Sequence, residues 1–512
     1  MSASVGRLKK NVLLQKIQRT VYSWLDARPF FYVILGLLVF QSLWIALSAV
    51  YPQAFDENYH FGLIQLHAQQ WLPFFTAHPA GAEVYGAVSR DPSYLFHYLL
   101  SLPYQVVAGI TDSLAVQVIV LRLLNIGMFV GGLLVYRKVL LELGISRRLM
   151  HVVLLFFVLT PVVPLLAAQI NYDNLIFMLT ALLFLYAIRY MRRLYSTGVI
   201  DVTSLLLIVF YILFTAVVKY TSTPLSLALA VILATVTVRQ IRKHEITLLN
   251  ALAWPRRSVI IGFTVLLLGF GGLFAERYAV NLAAYHGPVP DCAKVLTIEQ
   301  CQSYSPWARD HLYAQSQPKP STWGLIVYPF VWVHRMVFET MFVISSRFIP
   351  NGTVEYIPAP PLTVANYTAW TIVITGAGLA VYYIQRLWRL TYLRLLLLAI
   401  AFYTAVLFIK NLSMYLHTGE AMAIHGRYLV PVYPILYAAL ALPFAWAIDK
   451  WRRPEAKTWL VVITLVLLVH GVGLIAWLYR SEPRWYWSSD TSSPAYQINH
   501  MVQGVLHRVI IP

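Results

Sequence analysis

Residues 30–50 read FFYVILGLLVFQSLWIALSAV and contain no charged side chain. An α-helix needs about 20 apolar residues to cross the hydrocarbon layer of a bilayer. Lipid offers no hydrogen-bond partners to an open backbone, so such a run is typical of a transmembrane helix. The fold of the chain is therefore decided by how often runs of this kind recur.

Ten further apolar runs follow, and we predict an all-α, polytopic membrane protein with about eleven transmembrane helices. Of the 512 residues, 59% are hydrophobic and only 12% are charged. Soluble domains carry roughly 25% charged residues, so a soluble enzyme and a disordered chain are both excluded. The predicted spans are Phe30–Val50, Ala115–Tyr136, Met150–Ala168, Asn174–Ile188, Ser204–Val218, Pro224–Val238, Val259–Ala275, Ala369–Ile384, Leu395–Ile409, Tyr428–Ile448 and Trp459–Tyr479.

The net charge of +18 comes from 39 Lys and Arg against 21 Asp and Glu. Most of these basic residues lie before the first predicted span or after every second one. Basic residues gather on the cytoplasmic side of membrane proteins, so we predict a cytoplasmic N-terminus in a plasma (inner) membrane. The membrane topology then explains the positive net charge, so a nucleic-acid partner is not required to explain it. This pattern holds if Tyr94–Ile110 and Trp323–Ser345 are juxtamembrane helices on the outer face.

The predicted topology gives one transmembrane domain, residues 1–479, and an extracytoplasmic tail, residues 480–512. Two long outer segments, residues 51–113 and 276–368, belong to the first domain. Cys292 and Cys301, with eight residues between them, fall in the second of these segments. A disulfide in an oxidising compartment and two separate thiols are both compatible with this placement.

The first outer segment begins Ala-Phe-Asp-Glu-Asn-Tyr-His-Phe, residues 54–61. Adjacent carboxylates are rare in so apolar a chain, and His60 follows Asp56 by one helical turn. Asp56 has the chemistry to take a proton from a hydroxyl group, and Glu57 and His60 have the chemistry to orient that base or bind a metal. A simple acidic helix start is the alternative.

Two further polar sites are predicted at outer span ends. Asp173 begins a helix, which is also what a capping residue does, yet the topology places it on the same side as Asp56. Lys219 lies in a tight outer turn, where its ammonium is suited to a phosphate. Snorkelling of a lysine from a helix end is the alternative.

The last such site is the stretch His425-Gly426-Arg427-Tyr428, which precedes the tenth span. Arginine binds phosphate oxygens in a bidentate manner, whereas an interfacial Arg–Tyr anchor is the alternative. Arg122 falls inside the second span, where a charge is expensive and needs a partner. The sequence does not name that partner.

In this order, these sites resemble the GT-C superfamily of membrane glycosyltransferases, which includes protein O-mannosyltransferases and aminoarabinose transferases. The similarity is to an Asp-Glu-x-x-His-Phe motif after the first span, an arginine early in the next span, a second acidic position and a late Arg-Tyr…Pro motif. The matching residues are Asp56, Glu57, His60, Phe61, Arg122, Asp173, Arg427, Tyr428, Pro431 and Pro434.

The resemblance implies a catalytic group made of Asp56, Glu57 and Asp173. Asp56 would be the base or the carboxylate that positions the acceptor, and Glu57 and Asp173 would orient the acceptor or a metal. The substrate-binding residues would be His60, Arg122, Lys219, His425, Arg427 and Tyr428, with Lys219 and Arg427 on the carrier phosphate. Metal use varies across the superfamily, so no cofactor is assigned and a divalent metal ion stays an open alternative.

The sequence thus predicts an inverting glycosyltransferase on the extracytoplasmic membrane face. Its donor would be a polyprenyl-phosphate sugar, and its acceptor a hydroxyl of a glycan, lipid or protein. A transporter or lipid-linked glycan flippase is one alternative, and it too would carry a few intramembrane charges. Inverted repeats and helices broken at mid-membrane would be more typical of it, whereas the acidic residues here lie at outer span ends. A glycan polymerase or ligase with a pyrophosphate-linked donor and a non-catalytic scaffold are the others.

Overall fold

Helices dominate the structure, a computed structural model that describes residues 20, 23–53, 56–243, 252–347, 360–450, 473–487 and 491–510. Within these residues, the named strands are Ile200–Asp201 (β1) and Leu252–Ala253 (β2), which pair in parallel. The predicted all-α class is confirmed.

The N-terminal half of the described chain contains ten α-helices. They are α1 (Arg28–Ser48), α2 (Glu57–His67), α3 (Leu95–Ala108), α4 (Leu114–Glu142), α5 (Arg147–Leu159), α6 (Val162–Ala167), α7 (Asp173–Thr197), α8 (Val202–Val218), α9 (Thr223–Lys243) and α10 (Arg257–Tyr285). Helix α7 is the central one, because it packs on both α4 and α8 and most of its residues are buried.

Ten more α-helices follow in the described part of the C-terminal half. They are α11 (Cys292–Val295), α12 (Ile298–Gln302), α13 (Ser305–Ser316), α14 (Thr322–Arg347), α15 (Pro360–Tyr382), α16 (Ile384–Trp388), α17 (Thr391–Thr418), α18 (Tyr433–Asp449), α19 (Gly473–Arg480) and α20 (Pro494–Ile510). A 3₁₀-helix, Gly426–Val432, leads directly into α18.

Seven helical segments of the described chain are long and apolar enough to cross a membrane, as expected of a multi-pass membrane protein. They are α1, α4, α7, Tyr220–Lys243, α10, α17 and Gly426–Asp449. Val202–Val218 and Tyr367–Tyr382 are apolar but shorter. The predicted count of eleven spans is not confirmed.

Two predicted spans differ from the structure or lie outside it. The run Met150–Ala168 is not one helix, because α5 ends at Leu159 and α6 begins at Val162. Pro161 lies between them, and proline lacks the N–H group that would continue an α-helix. Most of Trp459–Tyr479 falls outside the described residues, which resume at Gly473.

Side-chain contacts sort the helix ends into two groups. Arg122 of α4 reaches the carbonyl of Ala49 just after α1, and Asp173 at the start of α7 pairs with Lys219 just after α8. We call this the Asp56 end of the bundle. At the opposite end, Glu142 at the end of α4 pairs with arginines of α7, and Arg148 pairs with Asp26 at 3.1 Å. The acidic motif and the basic connections thus lie at different ends.

Helices α2 and α3 form a cover over the Asp56 end. Helix α3 has 14 residues, which is too few to cross a bilayer. Its buried face includes Phe96 and Leu100, which pack in one apolar cluster with Phe61 and Ile64 of α2. This packing fixes the position of the acidic motif, which lies at the start of α2, over the Asp56 end of the bundle.

A disulfide closes the short loop between Cys292 and Cys301. Helix α11 begins next to Asp291, whose side chain accepts a hydrogen bond from Ala293 N–H, and α12 begins with a capping box made by Thr297 and Gln300. Of the two interpretations that the sequence left open, the structure contains the disulfide.

We expect both cysteines to be protected from thiol reagents until the protein is reduced. The chain has two cysteines, so denatured, unreduced protein should show no mass shift with a maleimide-linked polymer, and reduced protein should show a shift for two groups. A shift without reduction would contradict the disulfide. A Cys292→Ser variant provides the control, because its remaining thiol should react without reduction.

Candidate functional site

A fully buried ion pair joins Glu57 to Arg122. Nε and Nη2 of Arg122 donate to the two carboxylate oxygens of Glu57, at 2.9 and 2.8 Å. Both side chains have no exposed surface. The carboxylate also accepts the backbone N–H groups of Gln53 at 2.7 Å and Ile170 at 3.1 Å. Glu57 therefore connects three chain segments that are distant in sequence.

The other donors of Arg122 bind the C-terminal end of α1. Nη1 donates to the carbonyls of Ala46 at 3.0 Å and Ala49 at 2.6 Å, and Nη2 donates to Val50 at 3.2 Å. The last carbonyls of a helix lack partners within the helix and carry partial negative charge, so a guanidinium satisfies them well. This geometry supports a positioning role for Glu57 and Arg122, and direct contact of either residue with a substrate stays a prediction.

Asp56 is one residue away, but its environment is different. It has a left-handed backbone with φ of 65°, and its side chain is 65% exposed. Its Oδ2 atom accepts a hydrogen bond from Nη2 of Arg427 at 2.8 Å. The motif that contains Asp56 and the motif that contains Arg427 thus meet in one ion pair, and the carboxylate of this pair is accessible.

The turn that carries Arg427 is held from several sides. Nδ1 of His425 accepts the backbone N–H of Arg427 at 3.0 Å, and the Tyr433 hydroxyl donates to the Gly426 carbonyl at 2.9 Å. A Cβ atom at position 426 would overlap the side chain of Thr340, so this position requires glycine. His425 therefore shapes the turn through its ring nitrogen.

Asp173 and Lys219 form a second ion pair, and both side chains are almost fully buried. The ammonium of Lys219 also lies over the rings of Tyr172, 4.5 Å from the centroid, and Tyr428, 5.0 Å from the centroid. The second carboxylate oxygen of Asp173 is buried and has no hydrogen-bond partner among the described residues. That oxygen is available to a hydrogen-bond donor.

Tyr428 links the two ion pairs. Its ring faces Lys219 on one side and the guanidinium of Arg427, whose Cζ lies 5.5 Å from the centroid, on another. The structure therefore brings together five of the residues that the sequence singled out, and they form one charged cluster at the Asp56 end. Its members are Asp56, Asp173, Lys219, Arg427 and Tyr428.

Three buried imidazoles lie beside this cluster. Nδ1 of His60 and Nε2 of His97 are 3.0 Å apart and share one hydrogen bond. The ring of His67 is nearly parallel to that of His97, with centroids 6.4 Å apart. The ring of His60 meets Tyr172 edge-on at 4.5 Å, which connects the histidines to Lys219.

Burial keeps these histidines uncharged. It lowers the pKa of His60 well below its usual range, and the nearby charges of Arg427 and Lys219 lower it further. It also lowers the pKa of His97, aided by the two neighbouring imidazoles. Burial together with Arg277 lowers the pKa of His67 to about 3. Near pH 7 the three rings therefore act as neutral hydrogen-bonding groups.

Sequence reasoning missed several residues of this region. Lys410 of α17 donates to the Tyr220 hydroxyl at 3.1 Å. The Tyr59 hydroxyl donates to Asp91 at 3.4 Å, and Tyr304 packs against Tyr59 with ring centroids 6.4 Å apart. A lysine near the end of an apolar run was a usable signal, whereas the tyrosines give no periodic pattern that marks them.

The carboxylates of the cluster and of the neighbouring Glu57 already have cationic partners. Asp56 pairs with Arg427, Asp173 with Lys219 and Glu57 with Arg122. In the described part of the chain, no group of three or more His, Cys, Asp or Glu side chains is arranged to hold a metal ion. The divalent metal ion that the sequence left open is therefore not assigned to these residues, and we propose no step that involves one.

The chain was also compared with known proteins. No family model matches it, and no curated protein matches it significantly. The resemblance to GT-C enzymes therefore rests on the motif residues themselves and stays a hypothesis.

We expect Arg122→Leu to destabilise the protein by roughly 3–5 kcal/mol, because it leaves the Glu57 carboxylate buried without its cation. The matched control is Arg148→Gln, which breaks an exposed pair with Asp26 and should change stability by about 1 kcal/mol or less. The measurement is the Tm and the yield of monodisperse protein in detergent. Equal effects of the two variants would show that the Glu57–Arg122 pair does not anchor the fold.

We expect the stability of the folded protein to fall as the pH drops below about 6.5. The pKa of His67 is about 3 when folded, whereas that of a free imidazole is about 6.5. Between these values the unfolded chain binds more protons, so stability rises with pH and the full contribution is present above about 6.5.

His67→Gln removes this proton uptake. Its Tm should therefore depend less on pH than the wild-type Tm between about pH 5 and about pH 7.5. Gln497→Ala, which changes an exposed residue without a titratable group, should keep the wild-type slope. An unchanged slope in His67→Gln would mean that this imidazole does not titrate differently in the two states.

Proposed function

We propose that this protein is an inverting glycosyltransferase that moves a sugar from a polyprenyl-phosphate carrier to an acceptor hydroxyl. The observation that carries this proposal is the ion pair between Asp56 and Arg427, in which the carboxylate is exposed and the guanidinium is mostly buried. A base that is open to an incoming acceptor thus lies next to a fixed cation. That combination suits attack on a carbon bonded to a phosphate.

The acceptor hydroxyl would lose its proton to the exposed carboxylate of Asp56. Its oxygen then forms a bond with the anomeric carbon, while the bond from that carbon to the phosphate oxygen breaks. The electron pair of the broken bond leaves with the carrier phosphate. Because the acceptor attacks opposite the leaving group, the anomeric configuration inverts without a covalent enzyme intermediate.

The cations of the cluster have a matching role. Negative charge grows on the leaving phosphate, and prearranged cations stabilise it most effectively where water is excluded. Arg427 and Lys219 are both at least nine-tenths buried and flank Tyr428. Their carboxylate partners keep the net charge of the cluster near zero, which reduces the cost of burying the charges.

The helix ends support an orientation for this chemistry. Basic residues gather at the end opposite to Asp56, where Arg148, Arg189 and Arg192 make their ion pairs. Applied to this distribution, the positive-inside rule gives a cytoplasmic N-terminus and an extracytoplasmic site. Eleven spans in a plasma membrane, with an odd number of crossings, remain part of this proposal.

We expect Asp56→Asn to reduce sugar transfer by at least about 100-fold, because the amide keeps the size of the side chain and loses its basicity. Purified protein in liposomes would receive radiolabelled polyprenyl-monophosphate hexoses and pentoses, with a host membrane fraction as the acceptor source. The measured quantity is the amount of radiolabelled sugar that mild acid no longer releases. The matched control is Asp112→Asn, at an exposed position away from the cluster, which should transfer like the wild type.

Three outcomes would redirect the proposal. Transfer that persists in Asp56→Asn would remove Asp56 from the central role. Movement of the labelled lipid between leaflets without its consumption would indicate a flippase. Transfer only from pyrophosphate-linked donors would indicate a polymerase or ligase.

A further inference from the structure

Lys410 is a charged residue in an apolar, membrane-spanning helix. It lies about two turns, or about 12 Å, before the end of α17 at Thr418. Its side chain is exposed, and its neighbour Ile409 is 61% exposed. The predicted span Leu395–Ile409 ends directly before Lys410, so this cation lies at the membrane boundary, where anionic lipid headgroups are within reach.

Its described contacts do not include an anion. The ammonium donates to the Tyr220 hydroxyl and lies 5.0 Å from the centroid of that ring. Within the described residues, Lys410 makes no ion pair. Lys219 and Arg427, in contrast, each have a carboxylate partner. Lys410 therefore adds an uncompensated positive charge at the edge of the charged cluster.

The position of Lys410 connects the cluster with the outside of the bundle. It lies within electrostatic range of Tyr428, the residue that faces both Lys219 and Arg427. On α17, the exposed residues Ser413 and His417 follow it at the spacing of one helix face. A polar stripe thus runs from the Asp56 end of α17 down to Lys410.

Apolar surface continues beyond this stripe. On α9, which packs against α17, Leu227 and Val231 are both more than half exposed. On α17, Phe402 and Ile409 are exposed as well. A lipid that reaches Lys410 from the bilayer therefore has a cation beside its headgroup and exposed apolar side chains beside its tail.

We propose that Lys410, with the Tyr220 hydroxyl, binds the phosphate of a lipid that approaches between α9 and α17 from the bilayer. The occupant is the lipid carrier, whose phosphate is a diester in the sugar-loaded donor and a monoester after transfer, so this inference rests on the proposed function. The phosphate supplies the missing negative charge, the tail covers the exposed apolar residues, and Tyr428 lies between this position and Arg427. Lys410 is the first contact of the donor before its phosphate reaches the cluster.

Binding of a polyprenyl monophosphate, measured by native mass spectrometry of the full chain in detergent, tests this assignment without any need for turnover. Lys410→Gln should weaken binding by about tenfold or more, as expected for loss of a charged hydrogen bond. Lys410→Arg keeps the charge and should stay within about threefold of the wild type. Lys243→Gln is the matched control, since this lysine lies at the opposite end of α9 and should not affect binding.

Two other ligands identify what the site recognises. The neutral polyprenol of the same length should bind more weakly than the phosphate and should not respond to Lys410→Gln. Inorganic phosphate should bind weakly, because it lacks the tail. Unchanged lipid binding in Lys410→Gln, or equal binding of the neutral polyprenol, would overturn the assignment. Tight binding of inorganic phosphate would assign the site to a soluble anion instead.

The two proposals can fail separately. If the wild type binds the lipid phosphate through Lys410 but transfers no sugar, the lipid site stands and the transferase activity falls. If sugar is transferred while Lys410→Gln leaves lipid binding unchanged, the transferase activity stands and the lipid site is refuted.

Discussion

The arrangement of the Asp56 end depends on one buried interaction, the ion pair of Glu57 with Arg122. Neither charge has access to water, so each depends on the other and on the backbone groups around it. Arg122 donates to the backbone carbonyls of Ala46, Ala49 and Val50, and Glu57 accepts the backbone N–H groups of Gln53 and Ile170. The pair therefore joins the end of α1, the start of α2, the body of α4 and the segment before α7. A charge in such a place is poorly suited to turnover but well suited to hold neighbouring groups still.

The adjacent residues Asp56 and Glu57 consequently have different environments and different roles. Glu57 points inward and is satisfied, whereas Asp56 points to the outside and meets Arg427. The Asp173–Lys219 pair is buried like the first pair but keeps one carboxylate oxygen without a described partner. From the core outward, the carboxylates thus change from buried and fully paired, as in Glu57, to exposed to solvent, as in Asp56. This gradient is what a site needs if its scaffold is to stay rigid while its outer groups exchange partners with a substrate.

Hydropathy was enough to predict the helical class, because lipid leaves few alternatives to a helix. It could not predict the break at Pro161 or the count of spans, since an apolar run looks the same when a proline divides it. The motifs around Asp56, Asp173, Lys219 and Arg427 were visible as charges at span ends, and their shared end followed from topology. The partner of Arg122 and the contact of Lys410 with Tyr220 were not visible, because both join residues far apart in the chain.

The left-handed backbone of Asp56 restricts how this protein can diverge. Only glycine, asparagine and aspartate occupy that region readily, since a Cβ-branched or bulky residue strains it. A related protein that keeps the fold but replaces Asp56 should therefore most often carry asparagine or glycine at this position, and alanine or glutamate should be rare. The local geometry thus limits which substitutions at position 56 are compatible with the fold.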